Sequence, residues 1–98
     1  MKAEQVAHAR LKDPSLLDET IKKLKNEIEF ECQLLFRRAR TIYSASRGGR
    51  FIISFWEKRI YGIMRSKQDS YNIAKLKELK KQCIVVGREM EEFARELP

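Results

Sequence analysis

An all-α fold, a small bundle of about three main helices forming one domain over residues 1–98, is predicted by three observations. Apolar residues recur at threes and fours along two long stretches and one shorter one, the spacing of a helix face. Hydrophobic residues make up 43% of the chain while glycines number four and prolines two, a composition that favours helix and can fill one modest core. The breaks in the pattern, at residues 13–15, 44–50 and 66–70, are few enough to leave long uninterrupted helices.

Met1 to Lys12 holds the helix-compatible run AEQVAHARL, which predicts a short N-terminal helix or a frayed arm. Asp13-Pro14-Ser15 then marks a helix start, because proline suits the first turn and Ser15 with Asp18 has the spacing of a capping box. From there Leu17, Ile21, Leu24, Ile28, Cys32, Leu35, Ala39 and Ile42 form a continuous seam. Acids lie early along it and Arg37, Arg38 and Arg40 late, as the helix dipole favours. Ser44 to Arg50, with Gly48-Gly49, predicts a turn.

The shorter stretch, Phe51 to Met64, is rich in β-branched and aromatic residues. Ile52, Trp56, Ile60 and Ile63 nevertheless keep helical spacing, which predicts a short, heavily buried central helix with Gly62 at a close helix contact. Ser66 to Ser70 predicts the second turn, with Asp69 or Ser70 as cap. Ile73, Leu76, Leu79, Cys83, Val86, Met90, Phe93 and Leu97 form the second long seam. The two long seams are expected to pack antiparallel, with the central helix against both.

The formal charge of +7 is concentrated in one region. Residues 37–67 carry nine Lys and Arg against the single acid Glu57, whereas residues 1–36 and 68–98 are close to neutral. Such a local excess draws polyanions or acidic protein surfaces. The two cysteines lie on seam positions with no CxxC spacing, and no signal peptide is evident, so reduced buried thiols and an intracellular setting, cytoplasmic or nuclear, are expected. The apolar runs are far shorter than the roughly 20 residues that span a bilayer, so no membrane role is expected.

Catalytic chemistry is poorly provided for, and the expected function is non-enzymatic. His8 has no evident orienting partner, and no serine lies in a nucleophile-elbow context. The glutamates of 27–31 and 89–92 include residues two apart, which diverge on a helix and read as solvated faces. One histidine and two separated thiols make no zinc shell, and no cofactor is expected. The glycine pair lacks the lysine-serine and preceding strand of a phosphate loop.

Two residue sets remain. Arg37, Arg38, Arg40, Arg47, Arg50, Lys58 and Arg59 are candidates for contact with a partner or nucleic acid, Arg47 and Arg50 flanking backbone N–H groups that could meet an anion. The alternative is that the three arginines at the helix end, Arg37, Arg38 and Arg40, satisfy helix carbonyls and pair with acids such as Glu31 or Glu57. Tyr43, Phe51, Phe55 and Trp56 interleave with the bases and could stack on nucleobases, though their spacing favours core packing. Phe30, Leu34, Phe36, Phe51, Phe55 and Tyr61 fall off the main seams and are candidates for a subunit interface, some of them exposed in the monomer.

Leu34-Leu35-Phe36-Arg37-Arg38-Ala39-Arg40-Thr41-Ile42 resembles the LLxxRxRxI-type end of the central helix in GINS replication-complex subunits, over about residues 21–49. The resemblance implies a helical A domain without the family's β-rich B domain, and a scaffold that links replication factors. The expected function is an assembly module of a homo- or hetero-oligomeric complex, possible in DNA replication, with a direct nucleic-acid-binding protein as the alternative.

Overall fold

The computed structural model describes residues 14–98, which form three helices: α1 (Pro14–Tyr43), α2 (Gly49–Asp69) and α3 (Ile73–Glu96). The expected N-terminal helix over Met1–Lys12 lies outside the described residues. No helix among the described residues is long and apolar enough to cross a membrane. α1 begins at Pro14, where a fixed φ costs nothing, and Ser15 falls inside the helix instead of at its cap. At about 1.5 Å per residue α1 is roughly 45 Å long, and the other two helices pack along it.

The core is drawn from all three seams. Ile28, Cys32, Leu35 and Ala39 of α1, Trp56, Ile60 and Ile63 of α2, and Leu76, Leu79, Cys83, Val86 and Met90 of α3 are buried together. Ile21, Leu24, Ile42, Ile52 and Leu97 pack at its edges. Burying a side chain of this size contributes about 1.5–3 kcal/mol, so the seams are the main source of cohesion.

α1 closes through hydrogen bonds from the Ser44 N–H to the Arg40 carbonyl (3.0 Å) and the Ser46 N–H to the Tyr43 carbonyl (3.0 Å). The two glycines of the turn are required for different reasons. Gly48 takes a left-handed conformation, φ 72°, which costs an L-residue about 1–2 kcal/mol. Gly49 opens α2, and a Cβ there would lie 2.1 Å from the Tyr43 carbonyl oxygen, closer than any side chain allows.

α2 is longer than the stretch 51–64. Ser66 to Asp69 is helical, because nothing in it breaks a helix and its last turn is tied to α1. The Lys67 ammonium donates to Glu29 at 2.6 Å, and Lys25 donates to the Gln68 carbonyl at 3.1 Å. The second turn is only Ser70–Asn72, and the cap of α3 is Asn72, whose Oδ1 accepts from the Lys75 N–H at 3.1 Å, not Asp69 or Ser70.

The two long helices run parallel, correcting the antiparallel expectation. Glu27 meets Lys80, Leu35 lies beside Gly87, and Arg38 meets Glu91, so residue numbers rise together along both. Against α2 they fall as α1 rises, from Glu29 with Lys67 to Phe36 with Tyr61 to Arg40 with Glu57. Two tight reversals restore the original chain direction, so short turns require α1 and α3 to be parallel.

Helix approach is likewise placed elsewhere than expected. A Cβ on Gly62 would meet nothing within 4 Å, so this glycine marks open space. The tight contact is at Gly87, where a Cβ would lie 3.2 Å from Arg38 Nη1 and 3.4 Å from Leu35 Cδ2.

Candidate functional site

The basic segment divides into two groups. Arg38 forms an ion pair with Glu91 of α3, Arg40 reaches Glu57 of α2 at 3.7 Å, and Arg59 bonds Glu89 of α3 while its guanidinium lies 5.3 Å from the Trp56 ring centroid. These three tie helices together, and Lys67, whose side chain is 14% exposed, does so through Glu29. Arg37, Arg47, Arg50 and Lys58 are exposed and, among the described residues, have no carboxylate partner. Of the three helix-end arginines, the pairing alternative describes Arg40 with Glu57 as expected and Arg38 with Glu91 in place of Glu31, whereas Arg37 has no carboxylate partner among the described residues.

Arg47 lies in the glycine turn and Arg50 in the first turn of α2, next to Phe51. Phe51 is 81% exposed and Phe55, one turn on, is 57% exposed. Phe55 meets the Trp56 ring edge-on at 5.1 Å, so one face of the pair is anchored to the core while the other is open to solvent. At this end of the bundle a cationic turn and an exposed aromatic pair are adjacent. Tyr43 and Trp56, weighed with them as stacking platforms, belong to the core instead. Tyr43 donates its hydroxyl to the Met90 carbonyl and stacks on Trp56 at 6.4 Å. Among the described residues the buried Trp56 Nε1–H has no hydrogen-bond partner. Burial raises the Tyr43 phenol, and the neighbouring indole N–H acts in the opposite direction.

Of the six apolar interface candidates, Phe30, Leu34, Phe51, Phe55 and Tyr61 are exposed. Phe36 is buried at 6%, its ring 4.9 Å from Tyr61. It lies one position beyond Leu35, turned about 100° toward α2, so the second neighbour of α1 covers it. Ile84, Val85 and Phe93 add exposed apolar surface that was not expected. Ile84 and Val85 stand between seam positions Cys83 and Val86, which by helical rotation places them outside the core.

The resemblance motif is used for internal packing here. Leu35 and Ala39 are buried, Ile42 packs at the core edge, and Arg38 and Arg40 pair with α3 and α2. Cys32 and Cys83 are free, buried thiols on facing helices. The contact with Cys83, and then burial, push the Cys32 thiol far above its usual range, so it stays protonated. Among the described residues no three His, Cys, Asp or Glu side chains gather as a metal shell requires.

Comparison of the chain with family models, with curated proteins and with solved structures finds no match.

Proposed function

We propose that this chain is a non-enzymatic helical assembly module whose partner-binding end is the α1–α2 turn, where Arg47 in the turn and Arg50 at the start of α2 neighbour the exposed ring of Phe51 in the chain. The observation that carries this reading is the 81% exposure of Phe51 beside arginines that have no carboxylate partner among the described residues. An exposed aromatic anchor rimmed by arginine is the composition of a binding hot spot, and the charge selects an acidic protein surface. The motif resemblance would place that surface within a replication assembly.

The exposed Phe51–Phe55 pair also supports the second reading, direct binding of single-stranded nucleic acid by stacking and phosphate contact. Salt separates the two. A stacking site flanked by Arg47 and Arg50 should bind a labelled oligonucleotide more tightly than the roughly 10⁻⁴ to 10⁻⁶ M of non-specific attraction, with steep salt dependence. The assembly reading expects affinity no better than that range. It further expects a photo-cross-linker at position 51 to capture a discrete acidic protein in cells, and Arg47→Glu with Arg50→Glu to abolish capture. Cross-linking mainly to nucleic acid would reverse the ranking.

A further inference from the structure

Cys32 and Cys83 are the nucleophilic side chains of the core, and the arginine-rich end of the bundle uses neither. They are 0% and 2% exposed and belong to one apolar cluster. In the parallel register of α1 and α3, Glu27 meets Lys80 before the pair, while Leu35 lies beside Gly87 and Arg38 meets Glu91 after it. The two cysteines therefore face each other at one level of the seam. Gly87, one turn beyond Cys83, lets α3 come near α1, since a Cβ there would already be 3.4 Å from Leu35 Cδ2.

The side chains are also in contact, the Cys32 thiol donating a hydrogen bond to the Cys83 sulfur. A disulfide asks for Cα atoms about 4.4–6.8 Å apart with the Cβ atoms turned toward each other. Facing thiols in hydrogen-bond contact on closely packed helices are turned that way. We propose that Cys32 and Cys83 form a redox-sensitive lock, in which oxidation by a peroxide joins them in an intramolecular disulfide that ties α3 to α1.

The hydrogen bond from Cys32 holds the Cys83 thiol below its usual range, against the opposing effect of burial, so Cys83 supplies the attacking thiolate. Its sulfur attacks one oxygen of hydrogen peroxide, the O–O bond breaks, and a sulfenic acid forms on Cys83. The hydroxide released takes up the proton that Cys83 gave up. The Cys32 sulfur then attacks the Cys83 sulfur, the S–O bond breaks, and the Cys32 proton leaves with that oxygen as water. Two thiols and one peroxide thus give one disulfide and two waters, the sulfurs losing the two electrons that the peroxide oxygens gain. Because both sulfurs are buried, peroxide enters through brief openings of the seam, and the finished bond suppresses those openings. The end at Arg47, Arg50 and Phe51 plays no part, so either proposal can fail without the other.

The test is peroxide treatment of the fully reduced full chain in native buffer, followed by tryptic mapping without reductant and by thermal melts. Peptides 26–37 and 82–88 should appear joined, lighter than their sum by two hydrogen atoms. Dithiothreitol, which reverses a disulfide but leaves methionine sulfoxide, should lower the melting temperature of the oxidised chain by about 10 °C or more, because the long closed loop restrains the unfolded state. Cys32→Ala and Cys83→Ala should each abolish the linkage and the dithiothreitol-sensitive shift, and the wild-type map decides the linkage even where a variant fails to fold. Unlinked peptides after prolonged treatment, sulfinic or sulfonic acid in place of the bond, or a disulfide between two chains would overturn the proposal. So would a correctly linked chain that melts no higher than the reduced one.

Discussion

The α1–α3 seam and the α2–α3 seam are built from similar apolar residues yet do opposite things. Along the first, Gly87 admits Leu35 and Arg38 to close contact, and Lys80 and Arg38 clamp the two helices to Glu27 and Glu91. Along the second, Gly62 faces nothing and, among the described residues, a single ion pair crosses. The difference teaches that a glycine's meaning depends on what stands across from it. At Gly87 the missing Cβ lets two helices meet, and at Gly62 a Cβ would meet no atom.

The largest break in that comparison should come from charge placed in each seam. Leu35→Asp buries an unpaired carboxylate against α3 and should cost about 3–5 kcal/mol in urea denaturation. Val85→Asp, at the open seam, should stay within about 0.5 kcal/mol. Equal losses would mean that the α2–α3 seam is as closed as the other. Next in size is Gly49→Ala. Its Cβ would collide with the Tyr43 carbonyl oxygen 2.1 Å away, so the turn that sets α2 on α1 must shift, at about 1–3 kcal/mol.

The two mid-helix glycines sharpen the contrast with a smaller effect of opposite sign. Gly62→Ala meets no atom and should gain about 0.5–1 kcal/mol from helix propensity. Gly87→Ala should gain less, because its methyl must push Arg38 and Leu35 aside. Thermal melts of the two variants side by side decide this, and a larger gain at Gly87 would contradict the packing described for it.

These contrasts also show what was legible beforehand. The seams were, because burial on a helix imposes the three-and-four spacing that Ile28, Cys32, Leu35 and Ala39 carry. The course of α1 and α3 was misread as antiparallel, although the two short turns, each reversing the chain once, require the parallel course observed. The fate of the arginines was not legible. Whether Arg38 finds Glu91 or Arg37 stays free depends on how far α3 slides and rotates against α1, a quantity settled by side-chain packing between helices. Phe36 was misplaced for the same reason: spacing within α1 identifies one buried face, and only the position of α2 reveals the second. The helical end at Ser66–Asp69 was hidden because polar residues without a breaker fit a solvated last turn as well as a loop. Asn72 caps α3 from a position where a local side-chain cap was foreseeable but two neighbours competed for it.

The smallest expected effect concerns pH and the ion pairs that bind α1 to its neighbours. Hydrogen bonds from Lys67 and Gln33 hold the Glu29 carboxyl below the usual range, and a hydrogen bond from Lys80 does the same for Glu27. A carboxylate with a depressed folded pKa stabilises the fold above its unfolded pKa, near 4.3, and that contribution is lost as pH falls through the folded value. The Lys80 ammonium is raised, chiefly by its bond to Glu27, so its share is present below its unfolded pKa, near 10.4, and is lost as pH climbs through the folded value. Stability from these pairs should therefore be flat between those limits and decline on either side. Because Glu29 is substantially exposed, solvent screening limits its pair with Lys67 to about 0.5 kcal/mol. Glu29→Gln should flatten the acid limb of a melting-temperature profile slightly, and Lys80→Met should flatten both limbs, because it removes the raised ammonium and also the bond that lowers Glu27. If Glu29→Gln left the acid limb unchanged, the assignment of Lys67 and Glu29 as a pair joining α1 to α2 would be wrong.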